Sequence, residues 1–284
     1  LFFVVGRISR TSPTGRKSNC SREVVWSAGA RQLERCLLRR MGDNLKTSIV
    51  FIGTGNYINF LPNYYSAMKT HFLSETELKF HVFTDQVQYA SWPDDVSVYQ
   101  IEHLQWPFIT LLRFKFMNHF MEEIAKSENC VFADADLLWQ NKTTVEEIYG
   151  GKKHFGVQHP GFVFEPHKAT FEKNPESRAH VTIADDLGTY WQGCLWGAKS
   201  EEFSKMVGKL DEQVDSDLKK QIVAIWHDES HLNRYLIDVK GDVNTLHPGY
   251  ATPERWQHIR DTFPTVALHL HKTMEEFPRF EGLG

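Results

Sequence analysis

Apolar residues along the chain fall into two alternating patterns. Thr47-Ser48-Ile49-Val50-Phe51-Ile52 is a short apolar run ending at Gly53, which predicts a buried strand followed by a turn. Residues 57–71 carry a helical apolar pattern, and Lys79-Phe80-His81-Val82-Phe83-Thr84-Asp85 reads as a second strand. Val96 to Ile101 reads as a third. From about Leu111 a helix is expected, because Leu112, Phe116, Phe120 and Ile124 recur at i, i+4. Cys130-Val131-Phe132-Ala133 is a fourth apolar run, and it ends in Asp134-Ala135-Asp136. A second long helix is expected over 201–226, on Phe203, Met206, Val207, Leu210, Val214, Leu218 and Ile222. Strand alternating with helix predicts an α/β fold, Rossmann-like, with a mostly parallel sheet and helices on both faces. Such sheets bind ligands beyond the carboxyl ends of their strands, where Gly53-Thr54, Thr84-Asp85 and Asp134-Ala135-Asp136 fall.

Length and composition narrow this picture. The 284 residues suit one large α/β domain or about two smaller ones. With 41% hydrophobic and 24% charged residues the chain can bury a full core. Its net charge of −4 argues against a dedicated nucleic-acid binder, whose footprint is basic. The charge is uneven: residues 1–46 hold ten basic and three acidic side chains, a balance of +7 that leaves −11 for the rest. That first stretch lacks a sustained period, so residues 1–45 are expected to be a basic stem or disordered leader and 46–284 the folded domain. Its apolar opening, Leu1 to Val5, is far short of the ~20 residues that span a bilayer. The chain opens on Leu rather than Met, so membrane association is expected only through an anchor outside this sequence. The 20 Phe, 9 Tyr and 8 Trp fit either a heavy core or rings that stack on flat ligands.

Cys20, Cys36, Cys130 and Cys194 include no C-x-x-C pair, which argues against a zinc ribbon or thioredoxin site. Asn19-Cys20-Ser21 and Asn141-Lys142-Thr143 match the N-glycosylation triplet. Asp134 and Asp136, two apart past a buried strand, can aim their oxygens at one hard cation together with substrate phosphate. The plain alternative is a polar loop with turn-forming Asp. In Trp226-His227-Asp228-Glu229-Ser230-His231-Leu232-Asn233 the two His share a helix face, which invites comparison with zinc hydrolases. Those require Glu directly after the first His, and Asp228 stands there. Two readings remain: a polar helix start whose acids favour the helix dipole, and a carboxylate pair, Asp228 and Glu229, facing a substrate. Tyr190-Trp191-Gln192-Gly193-Cys194-Leu195-Trp196-Gly197-Ala198 sets small residues between large rings, as a ligand approach or as a glycine-containing core strand. His159-Pro160-Gly161-Phe162 reads as a turn.

Taken together these motifs resemble the retaining α-1,3-galactosyl- and N-acetylgalactosaminyltransferases of the histo-blood-group ABO type. That is glycosyltransferase family 6, which includes α-1,3-galactosyltransferase and Forssman synthase. The resemblance runs from about Thr47 to Arg279. It rests on Tyr57 after a strand, Val82-Phe83-Thr84-Asp85-Gln86, Asp134-Ala135-Asp136, His159-Pro160-Gly161-Phe162 and Trp226 to Asn233, in the family's order. It implies a GT-A type fold and a UDP-sugar-dependent hexosyltransferase that moves galactose or N-acetylgalactosamine, with retention, in α-1,3 linkage to a galactoside-type acceptor on a glycan or glycolipid. Rival readings are an inactive sugar-binding protein on the same scaffold and a zinc hydrolase using His227 and His231.

The resemblance also assigns roles. It implies that Ile52, Gly53, Thr54 and Tyr57 contact uridine, with the Tyr57 ring against the base. Arg113 matches an arginine near the sugar, and Asp134 and Asp136, around Ala135, match the pair that holds Mn²⁺ or another divalent cation and through it the diphosphate. His159 and Thr170 match sugar contacts, and Trp226 an acceptor platform, with Trp106 and Trp191 also expected beside sugar. Glu229 matches the catalytic glutamate and Asp228 its donor-binding neighbour. Lys272 and Arg279 match a basic tail pair over the diphosphate. Gln192-Gly193-Cys194 matches the donor-selecting triplet, where Cys194 crowds an N-acetyl group more than Gly would and so leans to galactose. Some bacterial relatives replace the two Asp with Asn and work without metal; this chain keeps Asp, so metal dependence is expected. The spacing from His159 to Thr170 is one residue shorter than usual, and from Lys272 to Arg279 one longer. The implied setting is the Golgi lumen for a eukaryotic protein and the cytoplasm for a bacterial one.

Overall fold

Each short apolar run forms a strand, because β-branched and aromatic residues fill a pleated surface buried on both faces. The computed structural model describes residues 45–182, 185 and 188–273. Residues 1–44 of the expected leader, and Arg279, lie outside the described residues. Strand β1 is Lys46–Ile52, followed by a 3-10 turn at Gly55–Phe60 and helix α1 at Leu61–His71. Strands β2 (Glu77–Thr84) and β3 (Val96–Gln100) precede three short helices, α2 (Phe108–Leu111), α3 (Arg113–His119) and α4 (Met121–Ile124). Then come β4 (Asn129–Ala133), β5 (Leu137–Trp139), α5 (Val145–Tyr149) and β6 (His154–Gln158). Strand β7 (Trp191–Lys199) runs directly into helix α6 (Ser200–Lys219), and α7 is His227–Asp238. The described chain closes with β8 (Val243–Leu246), β9 (Thr252–Pro253), α8 (Gln257–Thr262) and β10 (Ala267–His269).

The main sheet has seven strands in the order β3-β2-β1-β4-β7-β6-β8. Strands β3, β2, β1 and β4 are parallel; β7 runs antiparallel to both β4 and β6, and β8 is parallel to β6. The expected mostly parallel α/β architecture is therefore present, with one reversed strand in its middle. Side chains alternate across this sheet into two apolar clusters. Ile49 and Phe51 of β1 join one, with Tyr64 and Met68 of α1 and Tyr149 of α5. Val50 joins the other, with Phe114 of α3, Phe203 and Leu210 of α6 and Leu232 of α7. A second sheet, β5-β10-β9, sits beyond β4 in the chain and pairs β10 antiparallel to β5.

Two helices differ from expectation. The stretch from Leu111 is broken at Leu112 and Phe120, where Phe120 packs on Tyr99 at 4.3 Å and Phe83 at 5.8 Å. Its fully buried residues are Leu111, Phe114, Met117 and Ile124, while Leu112, Phe116 and Phe120 lie half-buried beside them. The helix expected over 201–226 ends at Lys219. Gln221 adopts φ 60°, and Ile222 N–H reaches Asp217 C=O at 2.9 Å while Gln221 N–H reaches Leu218 C=O at 2.9 Å. That is a Schellman stop, built here without glycine. Among the described residues no helix is long and apolar enough to cross a membrane. The triplet at Asn141 is engaged in the fold: its amide donates to Thr265 C=O at 2.7 Å, and buried Thr143 accepts from Leu73 N–H.

Candidate active site

The parallel strands deliver their last residues to one edge of the sheet, and the reversed β7 delivers its first residues to the same edge. Ala133 of β4 pairs with Leu195, and the next step of the ladder is Asp134 N–H on Cys194 C=O at 2.8 Å. This register is why Asp134-Ala135-Asp136 meets Gln192-Gly193-Cys194. Together they floor a cavity of about 850 Å³. Its walls come from the β1 end (Ile52, Thr54, Tyr57), the loop and helix after β3 (His103 to Arg113), His159, and Trp226 to Glu229 at the start of α7. The β1 end is braced by the β2 end: Gly55 N–H donates to Asp85 Oδ1 at 3.0 Å, and Gln86 donates to Gly55 C=O at 2.8 Å.

Arg113 joins the two acidic walls. Its Nη1 is 3.4 Å from Asp134 Oδ1, its Nε is 3.3 Å from Asp228 Oδ2, and Nη1 donates to Gly193 C=O at 3.2 Å. The buried guanidinium lies over the Phe132 ring, 4.4 Å from its centroid. Burial pushes the Asp134 carboxyl up, against the pull of Arg113, and nearby Asp136 pushes it further. Burial also opposes ionisation of Asp136, but His269 and Lys272 outweigh it and hold that carboxyl well below its usual range. His269 Nε2 is 3.1 Å from Asp136 Oδ2, and Lys272 Nζ touches the same oxygen. Lys272 also lies over the Tyr57 ring, at 5.2 Å. One ligand atom each from Asp134, Asp136 and His269 lie within 4.8 Å of one another. Two carboxylates and an imidazole form a donor set that fits a divalent first-row cation.

Glu229 forms the facing wall. Gly193 N–H donates to its Oε2 at 2.6 Å. Burial pushes the Glu229 carboxyl up to about 7, the Gly193 donor pulls it down, and Asp228 and Asp134 push it up again. A Cβ at Gly193 would lie 3.3 Å from Glu229 Oε2, so glycine leaves the carboxylate its place. Helix α7 is tied to β7 by Asn233, whose Nδ2 donates to Trp191 C=O at 2.8 Å and to Glu229 C=O at 2.9 Å, while its Oδ1 accepts from Trp191 N–H at 2.8 Å. Trp226, 46% exposed, stands at the rim and donates to Thr170 Oγ1 at 2.7 Å. Burial brings the His159 imidazole down to about 4, and its Nδ1 accepts from Gly161 N–H at 3.0 Å.

Most of the residues singled out from sequence thus converge. Ile52, Thr54, Tyr57, Arg113, Asp134, Ala135, Asp136, His159, Gln192, Gly193, Cys194, Trp226, Asp228, Glu229 and Lys272 all line the cavity, and so does Trp106. Thr170 reaches it through Trp226. Gly53 does not line it: the residue is buried and a Cβ there would lie 2.4 Å from the Phe51 ring, so its glycine is required by packing. Trp191 is also absent from the wall. It is buried, with Nε1 on Thr245 Oγ1 at 3.1 Å and its ring where a Cβ on Gly156 would fall. The zinc-protease comparison finds no shared centre, since buried His231 faces Asp217 at 3.7 Å while His227 packs on Trp106 at 4.8 Å. Sequence reasoning missed His103, whose Nδ1 is 3.0 Å from Thr54 Oγ1, and His269. The alternation Leu268-His269-Leu270-His271 was the signal available for His269.

A family model described as Glycosyltransferase family 6 matches residues 24–269. The match begins upstream of Thr47, and Lys272 and Arg279 lie past its end. An O-antigen biosynthesis glycosyltransferase of Escherichia coli is 29% identical over 224 residues, covering 75% of this chain and 91% of that protein. Histo-blood group ABO system transferase 2 of Rattus norvegicus is 27% identical over 237 residues, 79% of this chain and 70% of that protein. Globoside alpha-1,3-N-acetylgalactosaminyltransferase 1 of Gallus gallus is 25% identical over 248 residues, 82% and 68% of the two chains.

Proposed function

The chain belongs to glycosyltransferase family 6 and is a hexosyltransferase of UDP-sugars, and on that premise we propose that it moves galactose or N-acetylgalactosamine, with retention, in α-1,3 linkage to a galactoside-type acceptor on a glycan or glycolipid. The observation that carries this reading is the pairing of Glu229 with the Asp134–Asp136 wall across one cavity, joined through Arg113 and Gly193. Uridine fits the end of the cavity formed by Ile52, Thr54 and Tyr57, with the base on the Tyr57 ring. The diphosphate then falls toward Asp134, Asp136 and Lys272. A divalent cation, Mn²⁺ or one like it, would be held by Asp134 and Asp136 and, when bound, supplies positive charge to the departing UDP.

The sugar lies between that wall and Glu229. As its anomeric C–O bond to phosphate lengthens, the ring gains oxocarbenium character, and the Glu229 carboxylate stabilises it from the opposite face. Gly193 N–H orients that carboxylate, and Asn233 holds the turn that presents it. Arg113 bridges Asp134 and Asp228 and fixes both. Trp226 and Thr170 shape the mouth through which an acceptor hydroxyl approaches. The Cys194 side chain narrows the donor end and favours galactose over its N-acetylated counterpart.

The test is transfer from UDP-galactose and UDP-N-acetylgalactosamine to β-galactoside acceptors, with Mn²⁺ and with chelator. Turnover that falls about 10²-fold or more in Glu229→Gln, with UDP affinity retained, supports the reading. Turnover untouched by that substitution contradicts it.

A further inference from the structure

We propose that His269 is the third protein ligand of the divalent cation held at Asp134 and Asp136, and that Gln192 selects the ring tautomer that lets it bind. The inference rests on the transferase reading above and adds a ligand from a distant strand, together with the residue that positions it. The register of β10 on β5 fixes the imidazole: His269 pairs with Leu137, the residue after Asp136, and Leu270 N–H donates to Asp136 C=O at 3.0 Å. Nε2 therefore stands 3.1 Å from Asp136 Oδ2. The three ligand atoms lie within 4.8 Å of one another. Two ligands about 2.1 Å from one ion are at most about 4.2 Å apart, so small side-chain rotations close the set.

The other ring nitrogen faces the side-chain amide of Gln192. His269 Nδ1 is 3.3 Å from Gln192 Nε2. With the amide donating, the ring proton sits on Nε2 and points at Asp136. To ligate a cation, Nε2 must offer its lone pair, so the proton moves to Nδ1 and needs an acceptor there. Gln192 Oε1 is buried and has no hydrogen-bond partner. A half-turn of the amide sets Oε1 on the Nδ1–H. An amide serves both tautomers, whereas a carboxylate serves only the second and an ammonium only the first. Gln192 therefore acts as a positioning residue for the metal centre, while Gly193 beside it leaves room for Glu229. Lys272 contacts the same Asp136 oxygen, so its ammonium and the cation compete for it. An imidazole ligand shifts preference from Mg²⁺ and Ca²⁺ toward Mn²⁺ and Co²⁺.

The experiment is pulsed EPR of Mn²⁺ bound to the full chain, alone and with UDP, paired with calorimetric Mn²⁺ affinity. The expected result is ¹⁴N modulation from a coordinated imidazole in the wild type, absent in His269→Ala, with affinity reduced roughly 10- to 100-fold. Gln192→Leu should weaken Mn²⁺ binding about tenfold and Gln192→Glu should restore it. If His269→Ala fails to fold, ¹⁵N-histidine labelling of the wild type must change the modulation frequency. Failure to bind Mn²⁺, bound Mn²⁺ without nitrogen modulation, or modulation that survives His269→Ala, overturns the proposal. Sugar transfer with Mn²⁺ but without modulation keeps the transferase reading and removes His269; modulation without UDP affinity does the reverse.

Discussion

At Glu229 burial and a single backbone donor pull in opposite directions, and burial wins. The carboxyl is pushed from 4.5 up to about 7, so between those values the folded chain holds a proton that the unfolded chain has lost. Stability therefore falls as pH rises through this window, and above it the full cost of a buried carboxylate remains. Glu229→Gln removes that cost. Its thermal or denaturant midpoint should exceed the wild type's at pH 8, by roughly 3 kcal/mol, and the two should converge below about pH 4.5. The transfer rate should move the other way, rising through pH 7 as the wild-type carboxylate forms. Arg113 makes a complementary case, because a guanidinium fork serves Asp134, Asp228 and Gly193 at once. Arg113→Lys keeps the charge and loses the fork. It should cost roughly 2–3 kcal/mol in urea unfolding at pH 7 and lower transfer as well. Asp134 and Asp136 were legible in sequence because they stand at the end of an apolar run, and Glu229 because it forms a carboxylate pair with Asp228. His269 was not, because only strand pairing brings it to Asp136.

The strands were legible at the scale of elements for a simple reason. A segment buried on both faces needs an apolar run, and Ile49–Ile52 of β1, Val82-Phe83 of β2 and Cys130–Ala133 of β4 supply one. Direction was not legible: nothing in Trp191 to Lys199 announces that β7 runs against its neighbours, yet that reversal places Gln192 and Gly193 at the site. The break in the stretch from Leu111 escaped sequence reading because packing of Phe120 on Tyr99 overrode the i, i+4 pattern. The end of α6 escaped it because the stop lacks the expected glycine. Gln221 pays a left-handed backbone conformation at φ 60°. Gln221→Gly should therefore stabilise the chain by about 0.5–1 kcal/mol, read as a rise in unfolding midpoint with transfer unchanged.

Over the whole molecule, the basic first 44 residues lie outside the described residues, and the cavity where the strands end sets four acidic side chains, Asp134, Asp136, Asp228 and Glu229, against Arg113 and Lys272. The aromatic excess divides on inspection. Phe203, Trp196 and Trp191 fill the core, while Tyr57, Trp106 and Trp226 line the cavity. Composition could not make that division, because it depends on which face of an element each ring occupies. The seven-stranded sheet brings the β1, β4 and β7 ends together with the start of α7 around one cavity. The most direct measurement is an NMR time course of the product formed from UDP-galactose and a β-galactoside with Mn²⁺. The account predicts an α-linked product from the first turnovers, abolished by chelation and restored by added Mn²⁺. A β-linked product, or no transfer from any UDP-hexose by the metal-loaded chain, would contradict it.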